Sequence, residues 1–118
     1  MDITVYAKHI DPVHFKAGEV IFHRGDEGDV MYVIGGGEVE IRVDDDFTVK
    51  IGRGDTFGEM SIIDQVPRSA DAVALADVEL YPINRGLFLV LVQETPYFAL
   101  EVMKSLCAGL RRHNLAED

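Results

Sequence analysis

Between residues 57 and 70 the chain reads FGEMSIIDQVPRSA, which places Glu59 directly after Gly58, and Arg68 between Pro67 and Ser69. A glycine before a carboxylate removes the side chain that would keep a ligand away from the backbone. If residues 57–63 form one helical turn, its first amides point outward unpaired and favour an anion. Arg68 presents a planar fork of donors suited to phosphate oxygens, and Pro67 fixes the backbone leading into it. Glu59 is an acceptor for a sugar hydroxyl, Ser69 adds a hydroxyl or its own amide, and Ala70 and Ala72 keep the wall beside them low. Together these residues would read a phosphate and a neighbouring hydroxyl at once. The same two charged residues, nine apart, also allow a plain ion pair closing a loop.

The elements that must position this stretch are mostly strands. Residues 19–22 (EVIF), 30–34 (VMYVI), 38–43 (EVEIRV), 48–51 (TVKI), 70–75 (ADAVAL) and 78–83 (VELYPI) are short, several alternate apolar with polar, and turn-forming clusters separate them. The spacing predicts a small barrel or double-sheet roll, with Pro82 marking the end or an edge of its last strand. After Ile83 the period changes. Asn84 is a good N-cap for a helix over 85–93, and Thr95-Pro96 has the form of an N-cap followed by proline at the first helical position. Phe98, Val102, Leu106 and Leu110 then recur every four residues, with Ala99 and Met103 beside them, on a helix reaching about residue 113. That apolar face either packs on the roll or pairs with its copy in a homodimer. Arg111, Arg112 and His113 fall at the expected helix end, where cations suit the dipole. Ile10 and Phe15 are the expected first anchors of the N-terminal segment.

Composition limits the remaining classes. A chain of 118 residues that is 47% hydrophobic forms one domain with a genuine core. Its longest apolar run is far below the roughly 20 residues of a membrane span, so no membrane partner and a cytoplasmic location are expected. A net charge of −10 opposes direct nucleic-acid binding. The single cysteine, Cys107, cannot form an internal disulfide or a thiolate metal cluster within one chain.

From about Phe15 to Leu110 the sequence resembles the cyclic nucleotide-binding domain of the catabolite activator and protein kinase A regulatory subunit superfamily. FKAGEVIFHRGDEGDVMYVIGGGEVEI (15–41) is similar to the first half of that domain, with Gly18, Gly25, Gly28 and Gly37 at turns and Tyr32 in a core strand. FGEMSIIDQVPRSADAVA (57–74) resembles its phosphate-binding cassette, and PINRGLFLVLVQETPYFALEVM (82–103) resembles the helices that follow. The resemblance implies a mainly β fold with flanking α: a double-sheet β-roll, jelly-roll-like, over about 15–83, with C-terminal helices over about 85–113. It implies a non-catalytic sensor with no cofactor, whose ligand is cAMP or cGMP. Glu59 would hold the ribose 2′-hydroxyl and Arg68 the cyclic phosphate, within a ligand-binding set of Phe57, Gly58, Glu59, Met60, Ser61, Arg68, Ser69 and Ala70. Serine at 69, where cGMP-preferring members often carry threonine, leans towards cAMP. The C-terminal helix commonly caps the purine in the family, which by position points to His113 or Asn114. The implied mechanism is a cassette movement that lets the following helices repack.

No helix-turn-helix, second nucleotide-binding copy or channel segment follows in this sequence, so the effector protein is unknown. Two other readings share the pattern. A degenerate roll could serve as an interaction or dimerisation module without nucleotide. A cupin-type metalloprotein would have a similar small-barrel pattern, but its motif needs paired histidines where only His23 stands.

Overall fold

A computed structural model describes residues 5, 6 and 9–117 of the chain, with side chains described as far as Arg112. Among the described residues, eight strands precede and enclose a single helical turn, and two helices follow. In chain order the elements are β1 (Val13–Phe15), β2 (Val20–Phe22), β3 (Val30–Gly36), β4 (Glu38–Asp44), β5 (Phe47–Gly52), β6 (Thr56–Phe57), α1 (Glu59–Ile63), β7 (Asp71–Ala74), β8 (Val78–Asn84), α2 (Arg85–Glu94) and α3 (Pro96–Glu117). The strands form two antiparallel four-stranded sheets, ordered β1-β8-β3-β6 and β2-β7-β4-β5. This is the expected β-roll, but the sheets are open and packed face to face rather than closed into a barrel.

The core is divided by β3. Tyr32 and Ile34 face the other sheet, where Ile34, Val39, Phe57, Ala72 and Leu80 make the inner core. Met31 and Val33 face outward and join Ile62, Ile83, Phe98 and Val102 beneath the helices. Both faces of β3 are covered, which is why VMYVI lacks the alternation of a half-exposed strand. The turn from β3 to β4 depends on Gly37, whose φ is 88°; a Cβ there would lie 2.5 Å from the Asp77 carbonyl oxygen.

Several expectations are revised by the structure. Strands β1 and β6 are additional to those read from sequence. β8 does not end at Pro82 but continues to Asn84, and the edge alternative holds: β1 pairs only with Val78–Leu80, so at Pro82 the strand has β3 on one side and no strand on the other among the described residues. Asn84 caps α2 as expected, its Oδ1 accepting from the Leu87 amide at 2.8 Å. Thr95 does not cap α3 with its side chain: the hydroxyl turns back and donates to the Leu91 carbonyl at 2.7 Å, closing α2. The continuous stripe expected on α3 splits. Phe98 and Val102 are buried and Leu106 is half-buried, whereas Leu110 is 63% exposed, together with Tyr97, Leu100 and Met103. Because α3 runs on to Glu117, Arg111 and Arg112 are not at its end.

Candidate ligand-binding site

The stretch singled out in the sequence lies between the sheets' two strands β6 and β7. Gly58 takes φ 81° and turns the chain from β6 into α1. The five-residue helix ends at Asp64, and an irregular segment returns through Pro67 to Arg68. Arg68 is fastened to the loop between β2 and β3 by its own backbone: its amide donates to the Asp26 carbonyl at 2.8 Å, and its carbonyl accepts from the Gly25 amide at 2.8 Å. The two loops are therefore tied together through their backbones.

The Arg68 side chain turns inward and is only 6% exposed. Nη1 donates to the Gly58 carbonyl at 3.1 Å and Nη2 to the Val30 carbonyl at 2.8 Å. Nε is buried and has no hydrogen-bond partner among the described residues. A guanidinium has five N–H donors, so three hydrogens remain for an incoming acceptor. Burial pulls the Arg68 pKa below its ordinary value, opposed by the surrounding Tyr32, Asp29, Asp26 and Glu59.

Glu59 is 7% exposed, and its carboxylate accepts from the Thr56 hydroxyl. Burial raises its pKa above the ordinary carboxylate value, while the Thr56 hydroxyl, a backbone amide and the Arg68 charge oppose the rise. Among the described residues no ion pair joins Glu59 to Arg68, so the plain loop-closing pair is not what the stretch forms. A buried carboxylate with capacity to accept stands near a buried cation with donors to spare.

The other expected residues divide. Gly58 supplies a carbonyl to Arg68, and Ser69 is exposed, with its hydroxyl 3.7 Å from the Met60 sulfur on α1. Ala70 is buried close to Arg68, just before β7, whereas Ala72 belongs to the inner core. The Phe57 side chain is committed to the core, stacking on Tyr32 with centroids 5.2 Å apart. Ser61 is buried and borders a cleft of about 320 Å³ that Glu27, Gly28, Asp29, Gln65 and Arg85 also line. The side chains of His113 and Asn114 lie outside the described residues.

Residues 12–95 match the model of a family described as the cyclic nucleotide-binding domain. The chain belongs to that family. The domain is 31% identical over 117 residues to a CRP-like cAMP-activated global transcriptional regulator of Mycobacterium tuberculosis, covering 95% of this chain and 52% of the regulator. It is 36% identical over 101 residues to the lysophospholipase NTE1 of Chaetomium globosum, covering 81% of this chain and 7% of that protein. The chain thus spans about half, or far less, of these relatives' lengths. Among solved structures, the catabolite activator protein of Thermus thermophilus superposes with a TM-score of 0.80 at 31% identity, over 97% of this chain and 56% of that one. The cAMP-bound form of the EAL enzyme Bd1971 superposes with a TM-score of 0.63 at 33% identity, over 91% of this chain and 30% of that one. These likenesses agree with the double-sheet roll and its C-terminal helices.

Three site features were not read from the sequence. Thr56 belongs beside Glu59, and the T-x-x-E spacing of residues 56–59 was the available signal. Arg85, first residue of α2, donates to the Ile62 carbonyl and so caps the C-terminal end of α1 from 23 residues away. Phe22 lies under the Arg68 guanidinium, with Cζ 4.1 Å from the ring centroid.

Proposed function

We propose that this cyclic nucleotide-binding domain is a non-catalytic cytoplasmic sensor that takes cAMP in preference to cGMP and responds by repacking α2 and α3. The observation that carries the reading is the buried Arg68 with an unpartnered Nε, close to a buried Glu59 that makes no ion pair with it. A cyclic phosphate brings one negative charge and several acceptors, meeting the free donors of Arg68. The adjacent ribose hydroxyl donates to Glu59, with Gly58, Ser69 and Ala70 bordering the sugar. Local attraction then outweighs the unfavourable net charge, because a buried contact is poorly screened and the distant charges are well screened.

The connection to the helices runs through three contacts of the same segment. Ile62 on α1 packs in the cluster that contains Phe98 and Val102 of α3. Arg85 of α2 holds the Ile62 carbonyl, and the Ser105 hydroxyl of α3 reaches the Thr56 carbonyl at 3.5 Å. A ligand that draws residues 57–69 inward therefore changes what α2 and α3 pack against, and the shift is as large as the difference in ligand contacts between the two arrangements. The exposed Leu100, Met103 and Leu110 form the surface for a homodimer through α3, which would carry the change to an effector.

Hydrogen exchange with and without saturating cAMP tests this reading. Protection is expected to rise over residues 57–69 and to change over 85–110. Exchange that is the same with and without cAMP contradicts it. Sedimentation of Met103→Glu tests the dimer: wild type is expected to be dimeric and the variant monomeric.

A further inference from the structure

The Arg68 guanidinium does not rest on its hydrogen bonds alone. Its Cζ lies over the Phe22 ring at 4.1 Å, close enough for an attraction between the cation and the ring face. Phe22 is itself packed, tilted against Phe57 at 5.8 Å and stacked with Tyr32 at 6.5 Å, so two rings brace it from the core side. The bare Cα of Gly28 also presses on the group. A Cβ at that position would fall far inside van der Waals contact of Cζ and Nε and 2.7 Å from Nη2, and no other atom is among its three nearest neighbours. Gly28 has no positive φ, so conformational freedom is not what makes glycine necessary there. Space for the guanidinium is.

We infer that Phe22 and Gly28 are positioning residues of the nucleotide site, forming a slot that holds the Arg68 guanidinium with its free donors set for the phosphate. The inference rests on the cyclic nucleotide reading and adds two residues outside the cassette to it. An arginine carries considerable rotamer entropy, and a slot that freezes it before the ligand arrives removes that cost from binding. The ring contributes most where the cation is desolvated, as Arg68 is. Leucine at position 22 would keep apolar volume but offer no ring face. Alanine at position 28 would displace the flexible end of Arg68 while leaving the loop backbone as it is.

The test compares wild type with Phe22→Leu, Phe22→Tyr and Gly28→Ala by cAMP titration, by thermal melting without ligand, and by the NMR signal of the Arg68 Nε–H. Phe22→Leu is expected to weaken Kd about tenfold, Phe22→Tyr to retain wild-type affinity, and Gly28→Ala to weaken it further, with a fall in Tm as the Gly58 and Val30 carbonyls lose their Arg68 donors. In ligand-free wild type the Nε–H should be shifted by the ring current and protected from exchange, and Phe22→Leu should abolish that shift. Unchanged Kd in both Phe22→Leu and Gly28→Ala would overturn the inference, as would a loss of affinity with the Nε–H signal unmoved. If wild type takes up no nucleotide, the functional reading fails, and the Nε–H signal alone decides whether the slot exists.

Discussion

Phe98 joins the C-terminal helices to the roll, and removing its ring should measure how firmly they are attached. It is fully buried in the cluster with Met31, Val33, Ile62, Ile83 and Val102, and meets Tyr6 and Phe88 edge-on, each with centroids 5.7 Å apart. Phe→Ala at a closed core position costs about 3–5 kcal/mol, from lost transfer energy and the cavity left behind. The two edge-on ring contacts favour the upper part of that range. For 118 residues the unfolding entropy is about 0.25 kcal/mol/K, so a loss of ~4 kcal/mol lowers Tm by about 16 °C. Urea denaturation and calorimetry of Phe98→Ala give both numbers, with the denaturant slope checking that unfolding remains two-state. A loss below ~1.5 kcal/mol would refute the reasoning, because it would mean that α3 is not seated on β3 and α1.

Other substitutions separate stability from binding. Glu59→Gln should raise Tm at neutral pH while weakening cAMP binding, since it removes a charge that burial disfavours and that the ribose hydroxyl uses. The sign follows from the raised pKa of Glu59: the folded state holds the proton more tightly than the unfolded state, so its destabilising effect is complete above the folded pKa and fades as pH falls through it. The Tm gap between variant and wild type should therefore shrink on acidification, as melting curves across pH will check. Asn84→Ala should cost about 1 kcal/mol by loss of the α2 cap, measured by denaturation.

What the sequence made legible was set by local physics. Strands β3, β4 and β5 announce themselves through β-branched runs between turn clusters, and Asn84 marks the change to helix because capping is decided by neighbours in the chain. Strands β1 and β6 have three and two residues and exist only through pairing with β8 and β3, so no local pattern encodes them. The same division runs through the site. Glu59 and Arg68 stand in one short stretch, and their chemistry is readable there. Phe22, Gly28 and Arg85 reach it across 46, 40 and 23 residues, through a ring face, a missing Cβ and a long side chain. The split on α3 was hidden for another reason: spacing shows which residues share a face, but not how far the roll beneath extends to cover it.

Isothermal titration of ligand-stripped protein with cAMP and then cGMP, beside Arg68→Ala, tests the central claim most directly. The account predicts saturable binding at micromolar concentration or tighter, stronger for cAMP, and lost in the variant. Absence of heat from either nucleotide with wild type, or equal binding by Arg68→Ala, would contradict it.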